Sequence, residues 1–156
     1  MTGTALAINN TTSGEAAHLT RNGGRGGARN RADRESQTLT AHQVANLKAA
    51  ALFADTIGLP FTRMITIHWE AAGVPLADMA KATGRFTDLL AKTLARHRSG
   101  AAWLWVHEGG ESKGGHCHLL AHVPAARAPV VVKLQLGWLR KITGQPYRKR
   151  VIRSEP

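Results

Sequence analysis

Apolar and polar positions alternate from Arg63 to Trp69, with Ile65, Ile67 and Trp69 on one side and Met64, Thr66 and His68 on the other. That period of two predicts a half-buried strand. Further on, Ala101–Glu108 and His116–Val123 read as two more strands, joined by Gly-Gly-Glu-Ser-Lys-Gly-Gly, whose terminal glycines suit a hairpin connection. Between these strands the period becomes helical. Leu76, Met79, Phe86, Leu89, Leu90 and Leu94 predict a helix from Leu76 to His97, closing at Arg96 and Arg98, where positive charge suits the helix dipole. An earlier helix, Ala41 to Ile57, is opened by the capping-box spacing Thr40-Ala-His-Gln43, aligns Val44, Leu47 and Ala51, and stops at Gly58 and Pro60. A third, Pro129 to Thr143, starts on a favourable proline, turns Val132, Leu136 and Leu139 inward and ends at Gly144; Arg148 to Arg153 follows as a last strand. The order after residue 60 is β-α-β-β-α-β, which predicts an α+β fold, an antiparallel sheet with helices on one face.

Composition narrows the class. With 156 residues, 43% of them hydrophobic and 5% aromatic, the chain has material for one modest core, which excludes a multidomain enzyme. Cys117 is the single cysteine, so neither an intramolecular disulfide nor a multi-cysteine zinc site can form, and a reducing, cytoplasmic setting is expected. No run of residues has the length or apolarity of a membrane span. Residues 1–39 carry few large apolar side chains and an Arg/Gly-containing centre, Asn22-Gly-Gly-Arg-Gly-Gly-Ala-Arg29, and are expected to be disordered. The expected organisation is that segment, a leading helix over 40–60 and a domain over 61–156.

Charge changes the picture again. The net charge is +11, and +7 of it sits between Arg127 and Pro156, where Arg127, Lys133, Arg140, Lys141, Arg148, Lys149, Arg150 and Arg153 face only Glu155. A basic surface of this density attracts polyanions, which makes nucleic acid the expected partner and Arg140, Lys141, Arg148, Lys149, Arg150 and Arg153 the expected contacts. A solubilising basic flank is the plainer alternative.

His116-Cys117-His118 carries the most chemistry. Side chains at i and i+2 of a strand share a face and stand about 7 Å apart, so two imidazoles can converge on one ion. The neighbouring strand offers a third ligand, either Glu108 or, if the register slips by one residue, His107. Histidines in such a pair also occur simply as hydrogen-bonded side chains.

The segment Trp105-Val-His-Glu108, followed by the loop and Gly115-His-Cys-His118-Leu-Leu-Ala-His122, resembles the metal motif of the HUH endonucleases, the rolling-circle replication initiators and relaxases. Met64-Ile-Thr-Ile-His68 is similar to the short apolar first motif of the initiators, and the resemblance spans about residues 61–153. It implies an RRM-like (ferredoxin-like) domain with His116, His118 and Glu108 as ligands of Mg²⁺ or Mn²⁺. It also implies nicking and joining of single-stranded DNA, including an origin hairpin, during plasmid, phage or mobile-element replication or transfer. The family's nucleophile is a tyrosine on a helix, usually followed three residues later by lysine. Here the one tyrosine is Tyr147, in Pro146-Tyr-Arg-Lys-Arg150, with the lysine one place early. Either Tyr147 is a displaced nucleophile, its phenolate favoured by the adjacent cations, or the chain stops before the nucleophile helix and binds without forming the covalent bond.

Three other readings compete. A histidine-triad hydrolase would use His116, His118 and His122, but that pattern wants histidine where Leu120 stands. A structural zinc site of three histidines leaves the basic flank unexplained. A non-enzymatic nucleic-acid-binding protein could stack bases on Trp103, Trp105 or Trp138, although their placement within periodic elements fits core positions better.

Overall fold

In the computed structural model the described residues are 5–8, 38–109 and 114–156. Strand β1 is Ala5–Ile8, helix α1 Ala41–Thr56, strand β2 Arg63–Ile67, helix α2 Met79–Arg96, strand β3 Ala101–Glu108, strand β4 His116–Ala121, helix α3 Ala128–Thr143 and strand β5 Ile152–Glu155. Four strands form an antiparallel sheet in the order β3-β4-β2-β5, and β1 adds a parallel strand outside β3. With α2 connecting β2 to β3 and α3 connecting β4 to β5, this is the split βαβ arrangement of a ferredoxin-like domain. The α+β expectation holds. Ala5–Ile8 belong to the segment expected to be disordered, and the Arg/Gly-containing centre of that segment lies outside the described residues.

Alternation along the strands places the core. Ile65, Ile67, Trp103, Trp105, Cys117, Leu119 and Ala121 are buried in the main core cluster with Phe86, Leu90 and Leu94 of α2 and Val131, Trp138 and Leu139 of α3. Trp69, just past β2, meets Phe86 edge-on at 6.4 Å, and Phe86 meets Trp138 edge-on at 5.3 Å, so the aromatic edges contribute beyond area burial. The three tryptophans weighed for base stacking, Trp103, Trp105 and Trp138, are at most 9% exposed, which places them in the core. Helix α1 contacts β3 and buries Ala50 and Ala54 outside that main cluster.

Two boundaries and one helix face differ from expectation. The segment Leu76–Asp78 is a 3₁₀ turn, so α2 begins at Met79. Val132 and Leu136 are exposed, because α3 turns Val131, Gln135, Trp138 and Leu139 inward, a stripe at i, i+4, i+7 and i+8. The last strand is Ile152–Glu155 rather than Arg148–Arg153: Gly144 ends α3 in the left-handed region, and Arg150, also at positive φ (66°), turns the chain just before it joins β2.

Candidate metal centre

The β3–β4 register pairs Glu108 with His116, His107 with Cys117 and Val106 with His118. Directly opposed residues share a face, so Glu108, His116 and His118 stand together on the face away from the main core, and His107 points into the helix-covered side. The register therefore selects Glu108 over His107. On the open face Glu108 Oε2 lies 2.8 Å from His116 Nε2 and 3.5 Å from His118 Nε2, and the three ligand atoms all fall within 4.8 Å of one another. Donor atoms bound to one first-row ion at about 2.1 Å lie about 3 to 3.5 Å apart, so small side-chain adjustments close the group on a metal ion.

The donor chemistry fits a cation. His116 Nδ1 faces the carbonyl oxygen of Gly114 at 3.1 Å; a carbonyl only accepts, so Nδ1 carries a hydrogen and Nε2 is the ring atom turned toward Glu108. A ring nitrogen and a carboxylate oxygen at 2.8 Å need a proton or a cation between them. Two imidazoles and one carboxylate form a donor set that could hold a divalent metal ion.

Neighbouring side chains hold the ligands. Thr66 lies opposite His118 in the β2–β4 register, and its hydroxyl is 3.1 Å from His118 Nδ1, the outer hydrogen bond that fixes a ligand ring. The His68 ring stacks on His116 with centroids 5.2 Å apart. Glu70 accepts a hydrogen bond from the Gly115 N–H at 2.7 Å. Its carboxylate approaches so closely that a Cβ on Gly114 would stand 2.6 Å from Oε2, and a Cβ on Gly115 would crowd Leu76 and Met79. Gly114 also has φ 67°, a left-handed conformation that glycine adopts without strain at the entry to β4. Thr66 and His68 were visible in the alternation of β2, on its polar side, but nothing in that pattern assigned them to the histidine pair. Glu70 carried no sequence signal.

The other predicted residues lie elsewhere. His122 Nδ1 bonds the Pro60 carbonyl at 2.8 Å and does not join the cluster, which removes the third member of a histidine triad. Tyr147 is in the irregular segment between α3 and β5, half-buried against the core and lining a cleft beside α3 with Arg140 and Lys141. Arg148, Lys149 and Arg150 are exposed in the same connection. Arg153 is on β5 opposite Thr66, one strand further from His118, and pairs with Glu155.

On the helix side the Thr83 hydroxyl is hydrogen-bonded to His107 Nε2 at 2.9 Å and accepts from Trp69 Nε1 at 2.8 Å. Burial lowers the His107 pKa from 6.5 to about 4, so the ring is neutral. Burial also pushes the Cys117 thiol up to about 12, partly opposed by a hydrogen bond with Thr83, which makes it unreactive.

Among the described residues no helix is long and apolar enough to cross a membrane. Compared with known proteins, the chain matches no family model, no curated protein and no solved structure.

Proposed function

We propose that this protein is a metal-dependent single-stranded DNA processing domain of the replication-initiator type, serving the nicking and joining of plasmid, phage or mobile-element DNA. The observation that carries this reading is the convergence of Glu108, His116 and His118 on the open face of a ferredoxin-like sheet. Glu108, His116 and His118 would hold a divalent ion, which would supply Lewis-acid polarisation of a phosphate oxygen. The chain's own residues do the rest. Thr66 and the Gly114 carbonyl fix the two imidazoles, and Glu108 brings the anionic ligand from the adjacent strand. Arg153 offers a cation to the DNA backbone one strand beyond Thr66.

The location of Tyr147 favours a second reading, in which the domain binds metal and single-stranded DNA without forming the covalent bond. Tyr147 is not on a helix; it lies in the connection between α3 and β5 and packs against the main core, on the other side of the sheet from Glu108, His116 and His118. One assay separates the two: incubation of a labelled single-stranded oligonucleotide in Mn²⁺ or EDTA with wild type, His118→Ala and Tyr147→Phe. Mn²⁺-dependent nicking by wild type that both variants abolish supports the nicking reading with Tyr147 as nucleophile. Mn²⁺-dependent binding without nicking supports the second. Equal behaviour of wild type and His118→Ala in Mn²⁺ overturns both.

A further inference from the structure

The cleft beside α3 has features that the metal centre does not use. It is an open hollow of about 790 Å³, lined by Gly137, Arg140 and Lys141 of α3, by Tyr147 and by the 144–146 turn, with no acidic side chain in its wall. That volume lies within the range of about 300–1,000 Å³ typical of ligand sites. Arg140 and Lys141 sit in the last turn of α3, where cations suit the helix dipole, so their charge alone would need no ligand.

Gly137 does need an explanation. It is inside a sixteen-residue helix, its φ is not positive, and a Cβ built on it meets nothing within 4 Å. Glycine there weakens the helix, and neither backbone nor packing requires it. What its missing side chain does is keep the floor of the cleft open between two cations and a tyrosine ring.

We infer that this cleft is a binding site for single-stranded nucleic acid, in which Tyr147 stacks on a base, Arg140 and Lys141 take the flanking phosphates and Gly137 lets the strand approach the helix backbone. Arg148, Lys149 and Arg150, exposed in the connection that follows Tyr147, extend the positive track. An aromatic ring beside a row of cations is the arrangement that binds single strands irrespective of sequence. In this binding role Tyr147 acts through its ring. The inference takes its ligand, single-stranded DNA, from the reading above, but it does not depend on the metal.

The test is binding of a fluorescently labelled oligothymidylate to the full chain in EDTA, where the metal reading plays no part. Gly137→Leu fills the cleft and, by removing a mid-helix glycine, leaves thermal stability equal or higher. It should weaken binding at least about fivefold, as should Tyr147→Ala. Arg140→Ala should flatten the dependence of binding on salt. Tyr147 touches the core, so if Tyr147→Ala fails to fold, Gly137→Leu carries the test. Wild-type affinity in a folded Gly137→Leu, or equal competition by duplex DNA, overturns the inference. Equal behaviour of wild type and His118→Ala in Mn²⁺, with binding in EDTA weakened by Gly137→Leu, would count against the metal reading and leave this one standing.

Discussion

The two faces of the sheet treat the same residue type in opposite ways. His107 and Cys117 are register partners, and so are Glu108 and His116, one residue along each strand. On the helix-covered face, burial holds His107 neutral and Cys117 protonated, and Thr83 ties His107 to Trp69. On the open face two imidazoles meet a carboxylate that is 58% exposed, within reach of solvent and of a ligand. A single step along a strand separates a structural histidine from one that can ligate. Residue type therefore says little about function until the face is known, and register is what assigns the face.

The comparison breaks most readily at the core. Phe86 is fully buried between Trp69 and Trp138, and Phe86→Ala should cost about 3–5 kcal/mol in urea unfolding. A loss under 1 kcal/mol would mean that the helix face is not the main source of stability. The open face should behave differently. Glu108→Ala and His118→Ala should leave metal-free stability near wild type, because these two side chains are 58% and 36% exposed. Mn²⁺ at a hundredfold excess over its Kd should stabilise the wild type by about 2.7 kcal/mol and should do nothing for His118→Ala. A thermal titration in which both proteins respond alike would remove the metal centre.

Two smaller effects test the helix face itself. Thr83→Val keeps the shape but strips Trp69 Nε1 and His107 of their shared partner, a cost of about 2 kcal/mol with Mn²⁺ affinity unchanged. A change in Mn²⁺ affinity would show that the faces are coupled. The pH dependence follows from His107. Its folded pKa, about 4, is below the ordinary 6.5, so the unfolded chain takes up the proton first as pH falls. The stability linked to His107 is complete above about pH 6.5, is lost progressively down to about pH 4 and does not change further below that. His107→Gln should show a shallower loss over that window in denaturation midpoints, and identical slopes would count against a buried neutral ring.

Much of this arrangement was legible in local pattern. The alternation in Arg63–Trp69 and Ala101–Glu108 located the strands and sorted the tryptophans into the core, and Thr40 and Gln43 do form the capping box at α1. His116 and His118 were readable as a pair because both lie on one strand. The third ligand was not, because the choice between Glu108 and His107 depends on a register that the loop's composition does not fix. The inward face of α3 was misread because Val131, Val132, Leu136 and Leu139 offer two overlapping apolar stripes, and only packing against Phe86 selects the one containing Trp138. Thr83 escaped notice for a similar reason: its partners Trp69 and His107 are 14 and 24 residues away, on different strands' ends.

The smallest expected effect concerns the turn that ends the basic connection. Arg150 has φ 66°, a left-handed conformation in which a side chain crowds its own backbone, and it is exposed, with no burial to offset the cost. Its place just before β5 explains why that strand starts at Ile152, since the reversal must be complete before Ile152 can pair with Ile67. Glycine adopts this conformation without strain, so Arg150→Gly should raise stability by about 0.5–1 kcal/mol, provided that relief of strain exceeds the added flexibility of the unfolded chain. If the arginine is kept for its charge, the same variant should bind oligothymidylate more weakly and with a flatter salt dependence. Opposite signs in the two measurements would make Arg150 a residue whose backbone strain is maintained for a polyanion. A more stable variant with unchanged binding would confine the positive track to Arg140, Lys141 and their immediate neighbours.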